Sequence, residues 1–134
     1  MKDFRNEWDA LLASYETPTI VKNRLIEPVF ELLLSDGRIL DIGCGTGYFS
    51  ERASRLSKAV TAIDMSGQYF PKQGPVCYKV MDARALSFDS GSFDSVFVIN
   101  VLGVWSKQED RRQILSEAIR VKTESGILYV ILPS

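Results

Sequence analysis

The chain has 134 residues, 46% hydrophobic and 25% charged, with a formal net charge of −1. That length and balance suit one globular domain with one core, and the near-neutral charge argues against a strongly basic nucleic-acid surface. Histidine is absent, which excludes histidine triads, histidine metal sites and a histidine general base.

The two cysteines, Cys44 and Cys77, form neither a metal-binding spacing nor a disulfide framework, so no metal is expected. Residues 1–7 are charged and polar, so no signal peptide is expected to begin here. No apolar run reaches membrane-spanning length. The expectation is a cytoplasmic protein with no membrane partner.

Residues 1–36 are expected to form N-terminal helices, and residues 37–134 the core. Trp8, Leu11, Leu12 and Tyr15 recur at helical spacing. Thr17 and Pro18 suit an N-cap and a first helical position. Ile20, Val21, Ile26, Val29, Phe30 and Leu33 continue an apolar face, which Pro28 should kink or divide. Ser35, Asp36 and Gly37 close this part.

Residues 39–42 are a short apolar run and read as a buried strand. Gly43, Gly45 and Gly47 follow at alternate positions. Phe49, Ala53 and Leu56 then recur at helical spacing. The order is strand, glycine turn, helix. Glycine permits a sharp turn and close approach of a ligand, and the helix start should present free N–H groups to it. A dinucleotide loop requires G-x-G-x-x-G, whereas this one is G-x-G-x-G. Asp41, two residues before the first glycine, would repel a pyrophosphate and suit an ammonium group. A plain glycine turn is the simpler alternative.

This stretch closely resembles motif I of the class I S-adenosylmethionine-dependent methyltransferases, a pattern of hydrophobic-D-hydrophobic-G-x-G-x-G. The resemblance implies S-adenosylmethionine as cofactor, with Asp41, Gly43, Cys44, Gly45 and Gly47 at its site. Cys44 reads as a small residue that fits the loop rather than as a nucleophile. In this family N-terminal helices help close the cofactor cleft, so Tyr15 is either part of that lid or a core aromatic.

Residues 60–63 are the second strand, with Asp64 at its carboxyl end. An acid there can accept from both ribose hydroxyls; it can also be a plain turn residue. Met65 either lies against the adenine or belongs to the core. Residues 65–75 carry Gly67, Pro71, Gly74 and Pro75, so a loop or one helical turn is expected. Residues 76–81 are the third strand. By the resemblance, the Asp82 carboxylate accepts from the adenine amino group and the Ala83 backbone N–H serves a ring nitrogen. Residues 86–88 and 91–94 continue the family's wording, with Ser87 in place of a proline and Asp94 structural.

Residues 95–100 are the fourth strand. By the resemblance, Asn100 and Val101 offer backbone groups to the methionine end. Trp105 walls the pocket or joins the core. No N-P-P-Y motif occurs, which speaks against a DNA amino-methylating enzyme. Ser106 and Glu109 have capping-box spacing, and a helix is expected to about residue 122 with Ile114, Leu115, Ala118 and Ile119 inward. Arg111 and Arg112 read as its solvated face. Residues 123–126 are expected as a turn and residues 127–132 as the fifth strand.

Alternating strands and helices imply an α/β fold with a doubly wound parallel sheet. The resemblance gives the order 3-2-1-4-5. It implies methyl transfer to a small-molecule or protein acceptor; no catalytic residue can be named. The alternative is an S-adenosylmethionine-binding module that is non-catalytic or depends on a partner. A nicotinamide-dependent dehydrogenase is disfavoured by the glycine spacing. The family usually continues past strand five, where this sequence stops, so strand five is expected as an apolar edge covered by a second copy or by another protein.

Overall fold

The structure is a computed structural model that describes residues 37–56, 59–99, 101–102 and 105–131. The expected N-terminal helices, the Tyr15 lid and Asn100 lie outside the described residues.

The elements run in the order β1 (Arg38–Ile42), α1 (Tyr48–Ala53), β2 (Ala59–Asp64), β3 (Cys77–Val80), β4 (Phe93–Ile99), α2 (Gln108–Val121) and β5 (Lys122–Ile131). The five strands form one sheet in the expected order β3-β2-β1-β4-β5, and every pairing is parallel. All five strands therefore end at the same edge. In such a sheet the crevice beyond the carboxyl ends is where ligands bind.

Strand alternation sorts the apolar residues onto two faces. Leu40, Ile42, Ile63, Val96 and Val98 pack with Ile114, Ala118 and Val121 of α2. Ile39, Val60, Ala62 and Phe97 pack with Phe49 and Ala53 of α1. The two helices thus cover opposite faces, as double winding requires. β1 and β4 carry long buried runs because neighbouring strands flank each and helices cover them. On the α1 face Phe97 stacks on Tyr129 with ring centroids 4.5 Å apart and meets Phe49 at 4.6 Å. Asp94 has the structural role expected of it: its carboxylate accepts from the Arg38 backbone N–H at 2.8 Å and from its guanidinium at 3.2 Å.

Four local expectations need correction. The helix after β4 begins at Gln108 with Lys107 at the N-cap, and no side chain caps it. Lys107 rather than Ser106 takes the cap position, its carbonyl accepting from the Arg111 amide at 3.2 Å, while the Arg111 guanidinium donates to the Trp105 and Ser106 carbonyls at 2.6 and 3.0 Å. Arg111 is consequently half-buried, while Arg112 is exposed as expected. Residues 123–126 are not a free turn: α2 passes directly into β5, and the register jumps so that Lys122 faces Phe93 while Ile127 faces Ser95. The four intervening residues form a bulge, and Gly126 is needed there because a Cβ would lie 2.6 Å from the Asp94 carbonyl oxygen. Finally, Leu56 and Ile119, expected inward, are 44% and 57% exposed. α1 ends at Ala53, before Leu56 can continue its face, and Val121 takes the inward position that Ile119 was expected to fill.

Residues 65–76 contain no helix, in line with their glycines and prolines. No helix among the described residues is long and apolar enough to cross a membrane.

Phe97 is fully buried between two rings on the central face. Phe97→Ala should cost about 3–5 kcal/mol of stability, the usual result of an unfilled core cavity. Urea unfolding of the two proteins measures this; a difference below about 1 kcal/mol would show that the α1 face collapses to fill the gap.

Candidate functional site

The glycine turn begins where β1 ends. Gly43, Gly45 and Gly47 all have positive φ, at 75°, 58° and 85°. Only glycine adopts such angles without a Cβ penalty, so the alternate spacing is a backbone requirement. Space is short as well. A Cβ on Gly43 would collide with the Val101 side chain, and one on Gly47 with the Tyr78 hydroxyl.

The turn is gripped by the end of β2. The Ile63 carbonyl accepts from the Gly43 and Cys44 amides at 2.8 and 2.9 Å. The Asp64 carboxylate accepts from the Gly45 amide at 2.9 Å with one oxygen and from the Ser66 amide at 3.1 Å with the other. The Gly47 amide donates to the Cys44 carbonyl at 2.9 Å. The amides of Gly43, Cys44, Gly45 and Gly47 are therefore all engaged inside the protein. These four amides are therefore not offered to a ligand; the expectation of free N–H groups concerns the start of α1 instead.

Two buried carboxyls flank the turn, and they differ in environment. Asp41 is 2% exposed and accepts a 2.6 Å hydrogen bond from the Ser50 hydroxyl, which ties β1 to α1. Burial pushes its carboxyl up to about 7; the Ser50 bond opposes the shift, and the nearby Asp64 charge adds to it. Asp64 is 3% exposed, at the end of β2. Cys44 sits between them, and burial pushes its thiol far above the usual range. That agrees with a packing residue and not with a nucleophile.

The remaining expected residues arrive from neighbouring strand ends. Met65 follows Asp64 and packs against the apolar cluster that also holds Ala83 and Val101. Val101 is buried, with its side chain over Gly43. The Asp64 carbonyl accepts from the Met81 amide at 2.9 Å, which sets Asp82 and Ala83 beside the end of β2. Asp82 is bound by Arg84, whose guanidinium lies 2.7 Å from one of its oxygens. That contact holds the Asp82 carboxyl below the usual carboxylate range. Trp105 belongs to the core cluster and carries the Arg84 guanidinium 4.6 Å from its ring centroid.

Three contributors were not singled out from sequence. Ser50 carries a signal of sorts: it is a hydroxyl at an inward helical position, where a partner is needed. Tyr78 carries none. It reaches from β3 over Gly47, donates to Glu51 at 2.6 Å and stacks on Phe70 at 5.0 Å. Arg84 is likewise invisible as a partner of Trp105 and Asp110 until the chain is folded.

Asp41 makes stability depend on pH. Its folded value, about 7, lies above the ordinary 3.8. The folded protein therefore keeps a proton that the unfolded chain has lost, and the associated stability is complete below about pH 4 and is lost as pH rises through about 7. Asp41→Asn removes this group. Its unfolding free energy should fall less between about pH 5 and about pH 8 than the parent's, measured by urea unfolding across that range. Parallel curves for the two proteins would place the dependence elsewhere.

Comparison with known proteins agrees with this geometry. The methyltransferase domain family matches residues 40–130. The ubiquinone biosynthesis O-methyltransferase of Xanthomonas oryzae pv. oryzae (strain PXO99A) is 35% identical over 106 residues, 72% of this chain and 43% of that protein. A crystal structure of a SAM-dependent methyltransferase from Methanosarcina mazei superposes with a TM-score of 0.68 at 30% identity, over 79% of this chain and 57% of that one. In fold the chain also resembles the methyltransferase in a complex with the Haloferax volcanii Trm112 methyltransferase activator, with a TM-score of 0.77 at 22% identity, over 96% of this chain and 59% of that one. The chain spans about half or less of the length of the curated relatives it matches. With its parallel 3-2-1-4-5 sheet and glycine turn, the chain belongs to the methyltransferase domain family, the class I S-adenosylmethionine-dependent methyltransferases.

Proposed function

We propose that this chain binds S-adenosylmethionine at the carboxyl edge of its sheet and takes part in transferring the methyl group to a small-molecule or protein acceptor. One observation carries the reading: a glycine turn whose amides are engaged internally, flanked by the buried carboxyls of Asp41 and Asp64. The two carboxyls suit a cationic, hydroxyl-bearing ligand better than a phosphate. In this reading Asp64 accepts from the ribose while bracing Gly45. Asp82 and Ala83 meet the adenine, and Met65 and Val101 supply apolar walls. Asp41 favours the ammonium end, directly or through water, with Gly43, Cys44, Gly45 and Gly47 giving the close approach. Asn100 keeps the backbone role that the family resemblance gives it.

The sulfonium of the bound cofactor supplies a methyl group already activated for transfer. The protein's share is to hold acceptor and cofactor in line and to exclude water. No residue is assigned as general base.

A second reading is a binding module that needs a partner for catalysis. It is favoured by the outer edge of β5. Among the described residues β5 pairs only with β4, and Ile127 and Val130 on it are 52% and 41% exposed. We propose that this edge is covered by a second copy or a partner protein, since an apolar edge invites another strand. That a methyltransferase of similar fold was solved with an activator protein is in keeping with this.

Calorimetric titration tests the cofactor. Asp64→Ala should weaken binding of S-adenosylmethionine and of adenosine by about 1–3 kcal/mol. Gly45→Val should abolish binding of both. Asp41→Asn should weaken S-adenosylmethionine with little effect on adenosine. Undiminished binding by a folded Gly45→Val protein would place the site elsewhere. For the edge, sedimentation of the parent should show self-association or capture of a partner that Val130→Lys weakens at least tenfold; a monomer unaffected by the substitution refutes the covered edge.

A further inference from the structure

Asp82 is held in an unusual way for a residue assigned to read a ligand. One of its oxygens accepts from the Arg84 backbone N–H at 2.9 Å and from Nε at 3.1 Å. The other accepts from Arg84 Nη2 at 2.7 Å and from Nε at 3.2 Å. This is a forked carboxylate–guanidinium pair between residues two apart, closed by a turn of the backbone between them. Such a fork fixes both the plane and the rotamer of the carboxylate.

The guanidinium is itself held from two other sides. Its carbon lies 4.6 Å from the Trp105 ring centroid, and Nη1 donates to Asp110 in the first turn of α2 at 3.3 Å. The Arg84 side chain is only 10% exposed, whereas that of Asp82 is 35% exposed. The cation is buried behind the carboxylate, and the carboxylate keeps a face toward solvent. Arg84 is not the sole anchor of the β3–β4 connection. Glu117 already accepts from the Leu86 amide at 2.9 Å, and Arg120 donates to the Leu86 and Phe88 carbonyls at 3.0 and 2.8 Å.

We infer that Arg84 is a positioning residue for ligand specificity: backed by Trp105 and Asp110, it holds the Asp82 carboxylate as a fixed, acceptor-only group that selects a 6-aminopurine over a 6-oxopurine. The inference rests on the reading of Asp82 at the adenine end. An ionised carboxylate accepts hydrogen bonds and cannot donate them. A 6-amino group donates to it; a 6-oxo group presents an acceptor and is repelled. A carboxylate free to rotate or to take up a proton discriminates less well, because a protonated oxygen can donate to the oxo group. Lowering of the Asp82 pKa by Arg84 works in the same direction as the geometry.

The test is the binding ratio of S-adenosylhomocysteine to S-inosylhomocysteine, measured by calorimetry on the full chain. The parent should prefer the amino ligand. Asp82→Asn should largely remove the preference, since an amide can rotate to donate to an oxo group. Arg84→Met keeps side-chain length and loses the fork; the ratio should fall about tenfold. Arg84→Lys keeps the charge without the fork and should fall between. An anchoring role alone would weaken both ligands and leave the ratio intact. If Asp82→Asn lowers the ratio and the Arg84 variants do not, the inference is overturned while the adenine site stands. If Asp82→Asn leaves the ratio unchanged, the placement of adenine at Asp82 fails, and the inference with it. Should Arg84→Met not fold, Arg84→Lys decides alone, an unchanged ratio overturning the inference.

Discussion

The end of β2 grips the glycine turn, and the rest of the site is set around that grip. The Ile63 carbonyl takes two amides of the turn and the Asp64 carboxylate takes a third. Because β1 and β2 are parallel neighbours in register, with Ile42 opposite Ile63, the two strands end together and the turn falls directly across the end of β2. A slip of one residue would place Ile63 on the other face and move its carbonyl away from the turn. The register is in turn held by burial. Leu40, Ile42 and Ile63 all belong to the cluster under α2, so the same apolar packing that stabilises the sheet also aims the turn.

Engagement of four turn amides inside the protein narrows what the crevice offers a ligand. Dinucleotide folds and this one both place glycines between a strand and a helix, but here the amides of Gly43, Cys44, Gly45 and Gly47 are spent inside the protein. In their place stand two carboxyls with unlike environments. Asp64 accepts from backbone amides on both of its oxygens. Asp41 is enclosed, accepts from the Ser50 hydroxyl, and has its carboxyl pushed up to about 7. A cation arriving nearby would shift Asp41 toward its charged form. The turn is therefore rigid in backbone, while one of the carboxyls beside it responds to charge.

The opposite side of the crevice is organised by α2. Its first turn reaches Arg84 through Asp110, and its last turns hold the Leu86 and Phe88 backbone through Glu117 and Arg120. The connection from β3 to β4 has no regular structure of its own, yet it is pinned at both ends. Residues 82–86 are thus held against the α2 face of the sheet, where Ala83 and Leu86 enter the core cluster.

Much of this was legible in the chain itself. The run Ile39, Leu40, Asp41, Ile42 followed by three alternate glycines determines a strand and a left-handed turn, because periodicity and positive φ are local properties. The placing of Asp64 and Asp82 at strand ends followed from the same local patterns, and the order of strands from the resemblance they carry. Local pattern failed at both ends of α2. Ser106 has the right spacing for a cap, but the helix starts one residue later, with Lys107 at the N-cap. Thr123 and Gly126 read as a turn, but pairing with β4 draws them into a bulged strand. That Tyr78 lies over Gly47, that Arg84 holds Asp82 against Trp105, and that the turn amides face inward were decided by the tertiary structure alone. Each depends on which backbone or side-chain group from another strand or helix arrives within hydrogen-bonding or stacking distance, and no spacing along the chain encodes that.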